Sequence, residues 1–263
     1  MDEPRTEGEV LFAQYLSSEG IAFDFEQPQE SKSRRPDYLI TWHGTKCFFD
    51  VKDFAPFRPA LGIMAFDPYK AIREKISQGR RKFKEYKSHC CGLVLHNLGN
   101  PFVDLETTHI IMGAMYGNAG FSIPFNQETG EAETSRMQRA FTSGGKMMIP
   151  KSSEARNTTI SALITLRKFQ PDLTRLVEMA ARHPDRDIAD CAAELKQRNP
   201  NYDEALQVPR LIVWHNLAAR IPFPFDLFTG RYDAHIVLTP VSPGVVKPDL
   251  IFRGPELPES ITF

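Results

Sequence analysis

The chain has 263 residues, of which 41% are hydrophobic and 25% are charged, a composition typical of a globular protein with one large domain or two small ones. Its 32 Lys and Arg residues balance 33 Asp and Glu residues, so the molecule as a whole is not a polycation, and any basic surface must be local. The four cysteines include no C-x-x-C pair and no Cys/His run with zinc spacing, which argues against a disulfide framework or an iron–sulfur site.

The sequence also indicates where the protein works. The first ten residues, "MDEPRTEGEV", are acidic and polar, unlike a secretory signal, and no apolar run approaches the ~20 residues that a membrane span needs. We therefore expect a soluble, cytoplasmic protein with no membrane partner.

The N-terminal third predicts a helix followed by three strands. In "GEVLFAQYLSSEG" (8–20), Leu11, Phe12, Tyr15 and Leu16 fall on one helical face, and the helix is expected to stop near Gly20. "IAFDFE" (21–26), "DYLITW" (37–42) and "KCFFDVKD" (46–53) each predict a strand, and the last two are separated by a tight turn at His43-Gly44.

A second helix and a buried strand complete this part of the chain. A loop rich in Pro and Phe leads into "YKAIREKISQGRRKFKEYKSH" (69–89), where Ile72, Ile76 and Phe83 recur at helical spacing despite the cost of Gly79. "CGLVLHN" (91–97) reads as a buried strand. The predicted order over residues 9–97 is thus helix, three strands, helix, strand.

Beyond residue 98 the pattern is harder to interpret. "THIIMGAMYG" (108–117) fits a short helix or a strand, and residues 117–157 predict a loop or excursion with few apolar repeats. Strands are predicted at "ISALITLRKF" (160–169), "RLIVWHN" (210–216) and "AHIVL" (234–238), two helices within 171–197 break near His183-Pro184, and the tail is rich in Pro. We predict a single α/β domain over residues 1–263, with a mixed central sheet, an excursion at about 98–157, and further strands and helices over 158–263.

Charged side chains interrupt the apolar strand at 46–53. Side chains alternate between the two faces of a strand, so Phe48, Asp50 and Lys52 are expected on one face and Cys47, Phe49 and Val51 on the other, which packs on a helix. The turn at His43-Gly44 brings the preceding strand alongside, with Asp37 near its start. Two carboxylates and an ammonium group are therefore predicted to converge.

Two aspartates held close together resist ionising at the same time, and a hard divalent cation relieves that repulsion. Mg²⁺ prefers carboxylate and water oxygens and keeps water positions open for a phosphate. Lys52, beside such an ion, could donate to a phosphate oxygen or orient a metal-activated water. The pattern predicts a Mg²⁺ or Mn²⁺ site that hydrolyses phosphodiesters.

A third acidic group is expected from the first helix. Glu9, Phe12 and Leu16 are three and seven residues apart, so Glu9 lies near the edge of the buried face, and Glu7 is the competing choice. The structural alternative for either glutamate is a favourable place in the first turn, where the helix dipole favours negative charge.

These residues resemble the signature of the PD-(D/E)XK nuclease superfamily, which includes many restriction endonucleases, archaeal Holliday junction resolvases and RecB-type nucleases. The likeness is carried by Pro36-Asp37, by Asp50-Val51-Lys52 and by a glutamate on the preceding helix. It covers about 90 of the 263 residues. The resemblance implies a restriction-endonuclease-like core, with helix, three-stranded meander, helix and strand. It also implies metal binding by Asp37, Asp50, the Val51 carbonyl and Glu9, and a catalytic role for Lys52.

The chain offers one internal control for the motif and one departure from the family's pattern. "KPDLIF" (247–252) repeats Pro-Asp before an apolar run, but no D-x-K or E-x-K follows it, so we interpret Asp249 as a structural or turn residue. Gln78 is a weak candidate for the Gln-x₃-Tyr element of some RecB-like members, because Phe83 and Tyr86 do not fit that spacing.

A local basic surface is the second functional signal. Residues 70–87 carry eight Lys and Arg against Glu74 and Glu85, a run that is often only a solvated helix face but here follows the candidate catalytic strand. Candidate phosphate contacts in or near this surface are Arg34, Arg35, Gln78, Arg80, Arg81 and Lys84.

The sequence thus predicts a metal-dependent nuclease that acts on nucleic acid, with DNA preferred. Two alternatives stay open: a nuclease-fold DNA-binding subunit without activity, and an RNase or toxin-like effector that a partner activates. A homodimer or a larger complex is compatible with both.

Overall fold

The computed structural model describes residues 5–25, 35–57, 67–123, 126–132, 135, 138–141, 144–147, 154–168, 187–198, 208–242 and 245–257. Its helices are α1 (Glu7–Ser18), α2 (Lys70–Lys82, continued by a 3₁₀ turn at Phe83–Glu85), α3 (Thr108–Tyr116) and α4 (Ile188–Arg198). Its strands are β1 (Asp24–Phe25), β2 (Tyr38–Trp42), β3 (Thr45–Phe54), β4 (Cys90–Asn97), β5 (Ala119–Ser122), β6 (Gln138–Phe141), β7 (Ala162–Lys168), β8 (Pro209–His215), β9 (Ala234–Ser242) and β10 (Val245–Arg253).

Eight of these strands form one mixed sheet in the order β1-β2-β3-β4-β7-β8-β9-β10. The first three strands are an antiparallel meander, and β4 then runs parallel to β3, with β7 parallel to β4. The pairs β7–β8 and β9–β10 are antiparallel, whereas β8 and β9 are parallel. The protein is therefore mixed α/β, as the sequence predicts.

The sheet carries a hydrophobic cluster on each face. On one face, α1 packs Leu11, Phe12 and Leu16 against the side of β3 that presents Phe49 and Val51. On the other face, α2 and α3 pack against the side of β3 that presents Phe48. The alternation of strand side chains explains both layers, because each apolar strand contributes to the two clusters in turn.

Several predicted elements are confirmed, and others need correction. The order of helix, three strands, helix and strand is present, and "THIIMGAMYG" forms a helix rather than a strand. The stretch 117–157, predicted as loop, contains the hairpin β5–β6. Residues 245–253 of the Pro-rich tail form β10, a strand that was not predicted, and Asp249 therefore lies in a strand rather than a turn and pairs with Lys247. The predicted break near His183-Pro184 lies outside the described residues, whereas α4 confirms the helix that follows it.

Within the described ranges, no helix combines the length and the apolar character that crossing a membrane requires.

Candidate functional site

A two-residue turn fixes the register of the candidate site. His43 and Gly44 both have positive φ values, 45° and 78°, and Trp42 pairs with Thr45 across the turn. Positive φ at both central positions matches the right-handed twist of a hairpin, which favours glycine at the second position. The turn therefore sets β2 against β3 so that the residues before Tyr38 lie beside the second half of β3.

Asp37 is anchored to β3 through its backbone and its side chain. Its backbone N–H donates to the Phe49 carbonyl, with an N···O distance of 2.9 Å. Its carboxylate Oδ2 accepts a 2.7 Å hydrogen bond from the Val51 backbone N–H. Asp37 is 5% exposed and Asp50 is fully buried. Two acidic side chains are thus held next to each other on the α2 side of the sheet.

Lys52 contacts the carboxylate of Asp50 directly. Its Nζ lies 2.9 Å from Asp50 Oδ1 and 2.8 Å from Asp50 Oδ2, and it donates to the Val51 carbonyl at 3.2 Å. The expectation that Asp50 and Lys52 share one face of β3 is confirmed by these contacts. The Val51 carbonyl lies close to the Asp50 carboxylate, because the Lys52 ammonium donates to both.

A second lysine, which the sequence analysis did not single out, joins this cluster. Lys82, in the last turn of α2, lies 2.5 Å from Asp37 Oδ1 and also contacts Asp50 Oδ1. The signal was available in the sequence, since Lys82 is three residues after Gly79 and therefore borders the buried stripe of α2. Lys82 therefore bridges the two carboxylates, whereas Lys52 contacts Asp50 alone among the two.

The electrostatics of the cluster are dominated by burial. Removal from water, followed by repulsion from Asp37, raises the pKa of Asp50 to about 6, although Lys52 and Lys82 oppose the shift. Burial alone would lower the pKa of Lys82, but Asp50 and Asp37 outweigh it and raise that pKa. For Asp50, burial and the neighbouring Asp37 thus outweigh the two lysines that contact it.

Lys75 lies on the same flank of α2, seven residues before Lys82. Burial lowers the pKa of the Lys75 ammonium, and the nearby charge of Lys52 lowers it further, while Asp53, Glu74 and Asp50 raise it. The Lys75 Nζ sits 5.5 Å from the centre of the Phe54 ring. The acidic pair therefore has lysines from both β3 and α2 around it.

Glu9 has a structural role in this chain. Its carboxylate accepts hydrogen bonds from the backbone N–H groups of Arg5 and Thr6, while the Thr6 hydroxyl accepts from the Glu9 N–H, forming a capping box. Within the described part of the chain, no three His, Cys, Asp or Glu side chains lie close enough to hold one metal ion. The structure thus does not bring Glu9 together with Asp37 and Asp50. The competing Glu7 is exposed in the first turn of α1.

The weaker candidates are dispersed. Arg34 lies outside the described residues, and Arg35 is exposed and close enough to Tyr86 to lower the pKa of that phenol, against the stronger effect of burial. Gln78 lines a shallow depression beside α2. The remaining three, Arg80, Arg81 and Lys84, line an adjoining basic cleft, and Arg81 also lines the depression.

A pair formed by the partly buried Asp53 and the buried His96 lies on the opposite face of β3. Asp53 Oδ1 is 3.1 Å from His96 Nδ1, and Asp53 Oδ2 accepts a 3.1 Å hydrogen bond from the Gly8 N–H at the start of α1. Burial raises the pKa of Asp53, but the hydrogen bonds from His96 and Gly8 outweigh it, so the pKa is lowered overall. This pair ties α1 to the ends of β3 and β4.

The donor set around Asp50 suits a hard cation. Two carboxylates and a backbone carbonyl are oxygen ligands of the kind that Mg²⁺ and Mn²⁺ prefer, and Mg²⁺ is commonly held by one or two carboxylates with water and phosphate completing its shell. Lys82 Nζ already contacts an oxygen of both Asp37 and Asp50. Asp50 Oδ2 receives no well-directed hydrogen bond from the described residues, although Lys52 Nζ is close. The residues therefore fit a divalent ion if the Lys82 side chain moves aside.

Comparisons of the chain with protein-family models, with curated proteins and with solved structures found no match.

Proposed function

We propose that the protein is a metal-dependent nuclease that hydrolyses DNA phosphodiester bonds. The observation that carries the proposal is the buried pair Asp37 and Asp50, with Lys52 bound to Asp50 on the same face of β3. A buried acidic pair with lysine partners is costly to fold, because desolvation of charged groups opposes burial. Such a cost is typical of residues that are kept for chemistry.

The arrangement of elements supports the same proposal. The order of elements is the one expected of the restriction-endonuclease-like core: helix α1, the meander β1-β2-β3, helix α2 and the parallel strand β4. The Pro36-Asp37 and Asp50-Val51-Lys52 motifs resemble the signature of the superfamily that has this core. Helices α1 and α2 lie on opposite faces of the sheet. A sheet with both faces covered places the acidic pair on a rigid support, which suits a reacting geometry.

The residues have separate roles in the proposed reaction. Asp37, Asp50 and the Val51 carbonyl would hold Mg²⁺ or Mn²⁺, which when bound supplies charge neutralisation for a phosphodiester and acidity for a coordinated water. Lys52 is 23% exposed at its side chain and can turn from Asp50 to a phosphate oxygen, where its charge stabilises the transition state. Asp37 accepts from the Val51 N–H, which fixes the carbonyl on the other side of that residue.

Digestion assays test the proposal. Purified wild type is incubated with Mg²⁺ or Mn²⁺ and linear, circular or branched DNA, in parallel with Asp50→Ala and Lys52→Ala. Each variant is expected to lose cleavage by about 100-fold or more. Lys46→Ala removes an exposed charge from the same strand and serves as the matched control. A wild-type rate in either site variant, with circular dichroism showing a folded chain, contradicts the assignment.

One observation favours a second candidate, a nuclease-like subunit that binds DNA without cutting it. Lys82 contacts both carboxylates and so occupies the place of a cation. If the Lys82 ammonium group never leaves the two carboxylates, the wild-type protein will bind DNA without cleaving it. Calorimetry will then show no Asp37-dependent binding of Mn²⁺. Digestion of DNA and RNA side by side also decides whether an RNase assignment replaces the DNase assignment.

A further inference from the structure

A deep basic cleft lies beside α2, away from the acidic pair. It has a volume of about 570 Å³ and is lined by the second half of α2, by Lys146, by residues 156–159 and by Arg220. A volume of that size is typical of ligand sites, but ordinary small-molecule pockets are lined mainly by apolar and aromatic groups. The chemistry of this lining is different.

The cleft is lined by cations from three separate segments. Helix α2 with its 3₁₀ turn provides Arg80, Arg81 and Lys84, the turn that follows provides Lys87, and the loops provide Lys146, Arg156 and Arg220. Of the described residues that line the cleft, none is acidic and none is aromatic. Seven positive groups converging from distant parts of the chain repel one another, so the concentration of charge is not explained by folding alone.

The floor of the cleft offers a buried donor that lacks an acceptor. Asn157 is 1% exposed, and its Oδ1 accepts from the backbone N–H groups of Thr159 and Ile160 at 3.1 and 3.4 Å. Those bonds orient the amide, and Asn157 Nδ2 has no acceptor within the described structure. A buried amide N–H without a partner is costly, and a phosphate oxygen is an acceptor that would satisfy it.

The loops that form the cleft are held in place by backbone hydrogen bonds. The Arg220 N–H donates to the Thr158 carbonyl at 2.7 Å, and the Arg156 N–H donates to the Met147 carbonyl at 2.7 Å. The Asn216 side-chain amide donates to the Asn157 carbonyl at 3.1 Å. The cleft is therefore a preformed feature rather than a chance approach of long side chains.

The cleft and the acidic pair lie on different flanks of α2. Successive residues of a helix rotate by about 100°, so Arg80 points about 160° away from Lys82. Lys82 reaches Asp37 and Asp50, while Arg80 and Ser77 line the cleft. The predicted phosphate contacts Arg80, Arg81 and Lys84 therefore belong to a second surface and not to the edge of the candidate metal site.

We propose that this cleft binds the phosphate backbone of a nucleic-acid segment that does not pass through the acidic pair. Arg and Lys neutralise phosphates, and Asn157 together with the Thr158 hydroxyl adds donors at the floor. The absence of a stacking side chain among the lining residues described above favours contact with phosphates over contact with bases.

The length of the surface favours a polynucleotide over a free nucleotide. A shallower depression shares Ser77, Arg81 and Lys146 with the cleft and extends to Lys70, although Asp67 and Glu74 also line it. The 13 residues of α2 span about 20 Å, which is several phosphates along one strand. The choice of nucleic acid as the polyanion rests on the proposed function. The inference that the cleft binds an anion rests only on its lining residues.

Binding is measured without cleavage, in EDTA, by fluorescence anisotropy of a short labelled DNA duplex. The variants are Arg80→Ala/Lys84→Ala and Arg156→Ala/Arg220→Ala, one from each wall. The control, Lys46→Ala/Lys247→Ala, removes two exposed charges from β3 and β10. We expect each cleft variant to bind at least about tenfold more weakly, with the slope of log affinity against log salt reduced by about 2, and the control to match wild type.

Competition and a substitution at the floor complete the test. Inorganic triphosphate should displace the duplex only weakly. Asn157→Asp should weaken binding more than Asn157→Ser, because aspartate has nearly the size of asparagine but carries a negative charge that repels phosphate. Cleft variants that bind the duplex as tightly as wild type, with unchanged salt dependence, overturn the inference even if the protein cleaves DNA. Displacement by triphosphate at matched phosphate concentration overturns the choice of a polynucleotide. Cleft-dependent binding by a protein without nuclease activity supports the inference and contradicts only the proposed function.

Discussion

Lys82 at the end of α2 forms an ion pair with Asp50, a fully buried residue in the middle of β3. The same ammonium lies 2.5 Å from Asp37 Oδ1. One side chain of a helix thus compensates two acidic side chains that belong to a hairpin. Because both carboxylates are almost fully removed from water, any cation that replaces Lys82 must supply at least as much positive charge.

Lys82→Ala should therefore loosen the fold and tighten metal binding. Without the ammonium group, the repulsion between Asp37 and Asp50 is expected to lower the free energy of unfolding by about 3 kcal/mol in metal-free buffer. Removal of the ammonium group should also strengthen Mn²⁺ binding by about tenfold, because the ion no longer competes with a bound lysine. Urea denaturation and titration calorimetry measure the two effects, and Lys70→Ala, an exposed change on the same helix, should alter neither. Equal Mn²⁺ affinity in wild type and Lys82→Ala would show that Lys82 does not compete for the site.

The stability of the protein should carry a pH-dependent term from Asp50. Its carboxyl has a pKa of about 6 when folded and 3.8 when unperturbed. Between those values the folded chain binds more protons than the unfolded chain, so this term stabilises fully below about pH 4 and is lost as the pH rises through 6. The total is on the order of 3 kcal/mol.

Asp50→Asn removes the titrating group. In metal-free buffer, the free energy of unfolding of this variant should therefore rise relative to that of wild type as the pH increases from about 4 to 6.5. Urea denaturation at several pH values measures the difference. A difference that is constant over this interval contradicts the raised pKa of Asp50.

The buried pair His215 and His235 should act in the opposite direction. Burial and the neighbouring His235 lower the pKa of His215 to about 3 from 6.5, and the two rings share a 3.0 Å hydrogen bond. As the pH falls below 6.5, the unfolded chain takes up a proton that folded His215 does not, so stability is lost. His215→Gln should abolish about 2 kcal/mol of the loss between about pH 6.5 and 5. An acid limb of equal depth in wild type and His215→Gln would contradict the lowered pKa of His215.

Gly8→Ala should disconnect α1 from the sheet. A Cβ atom at this position would lie 2.1 Å from Asp53 Oδ1, so Asp53 would have to leave its bonds to the Gly8 N–H and His96. We expect a loss of about 2 to 3 kcal/mol in urea denaturation, although alanine favours helix formation. Gln14→Ala, on the exposed face of α1, should be neutral or slightly stabilising. A stable Gly8→Ala chain would mean that Asp53 has another low-energy position.

The part of the candidate site that the sequence predicts is the part that depends on local periodicity. Alternation along β3 places Asp50 and Lys52 on one face, and the turn at His43-Gly44 brings Asp37 near them. Lys82 was missed because its contact with Asp50 joins residues 32 positions apart, and its direction depends on how α2 rotates against the sheet. The expectation for Glu9 gave too little weight to the T-x-x-E pattern at Thr6, which predicts a capping box.

In the fold as well, elements with a strong local sequence pattern were predicted, and elements without one were not. The strands with continuous apolar runs, such as β4 and β8, were predicted because a buried strand has a strong sequence signal. Strand β10 was missed because Pro248 and charged residues interrupt it, a composition that edge strands tolerate. The hairpin β5–β6 joins two four-residue strands separated by 15 residues, a distance over which turn chemistry gives no signal.

The outer strands of the large sheet also affect how copies of the protein can meet. Among the described residues, strand β1 comprises two, and β10, at the other end of the sheet, carries Pro248, which has no N–H group to donate, and the charged side chain of Lys247. Short, charged or proline-containing borders discourage one sheet from extending into the next. Concentrated solutions should therefore resist growth of continuous intermolecular β-structure.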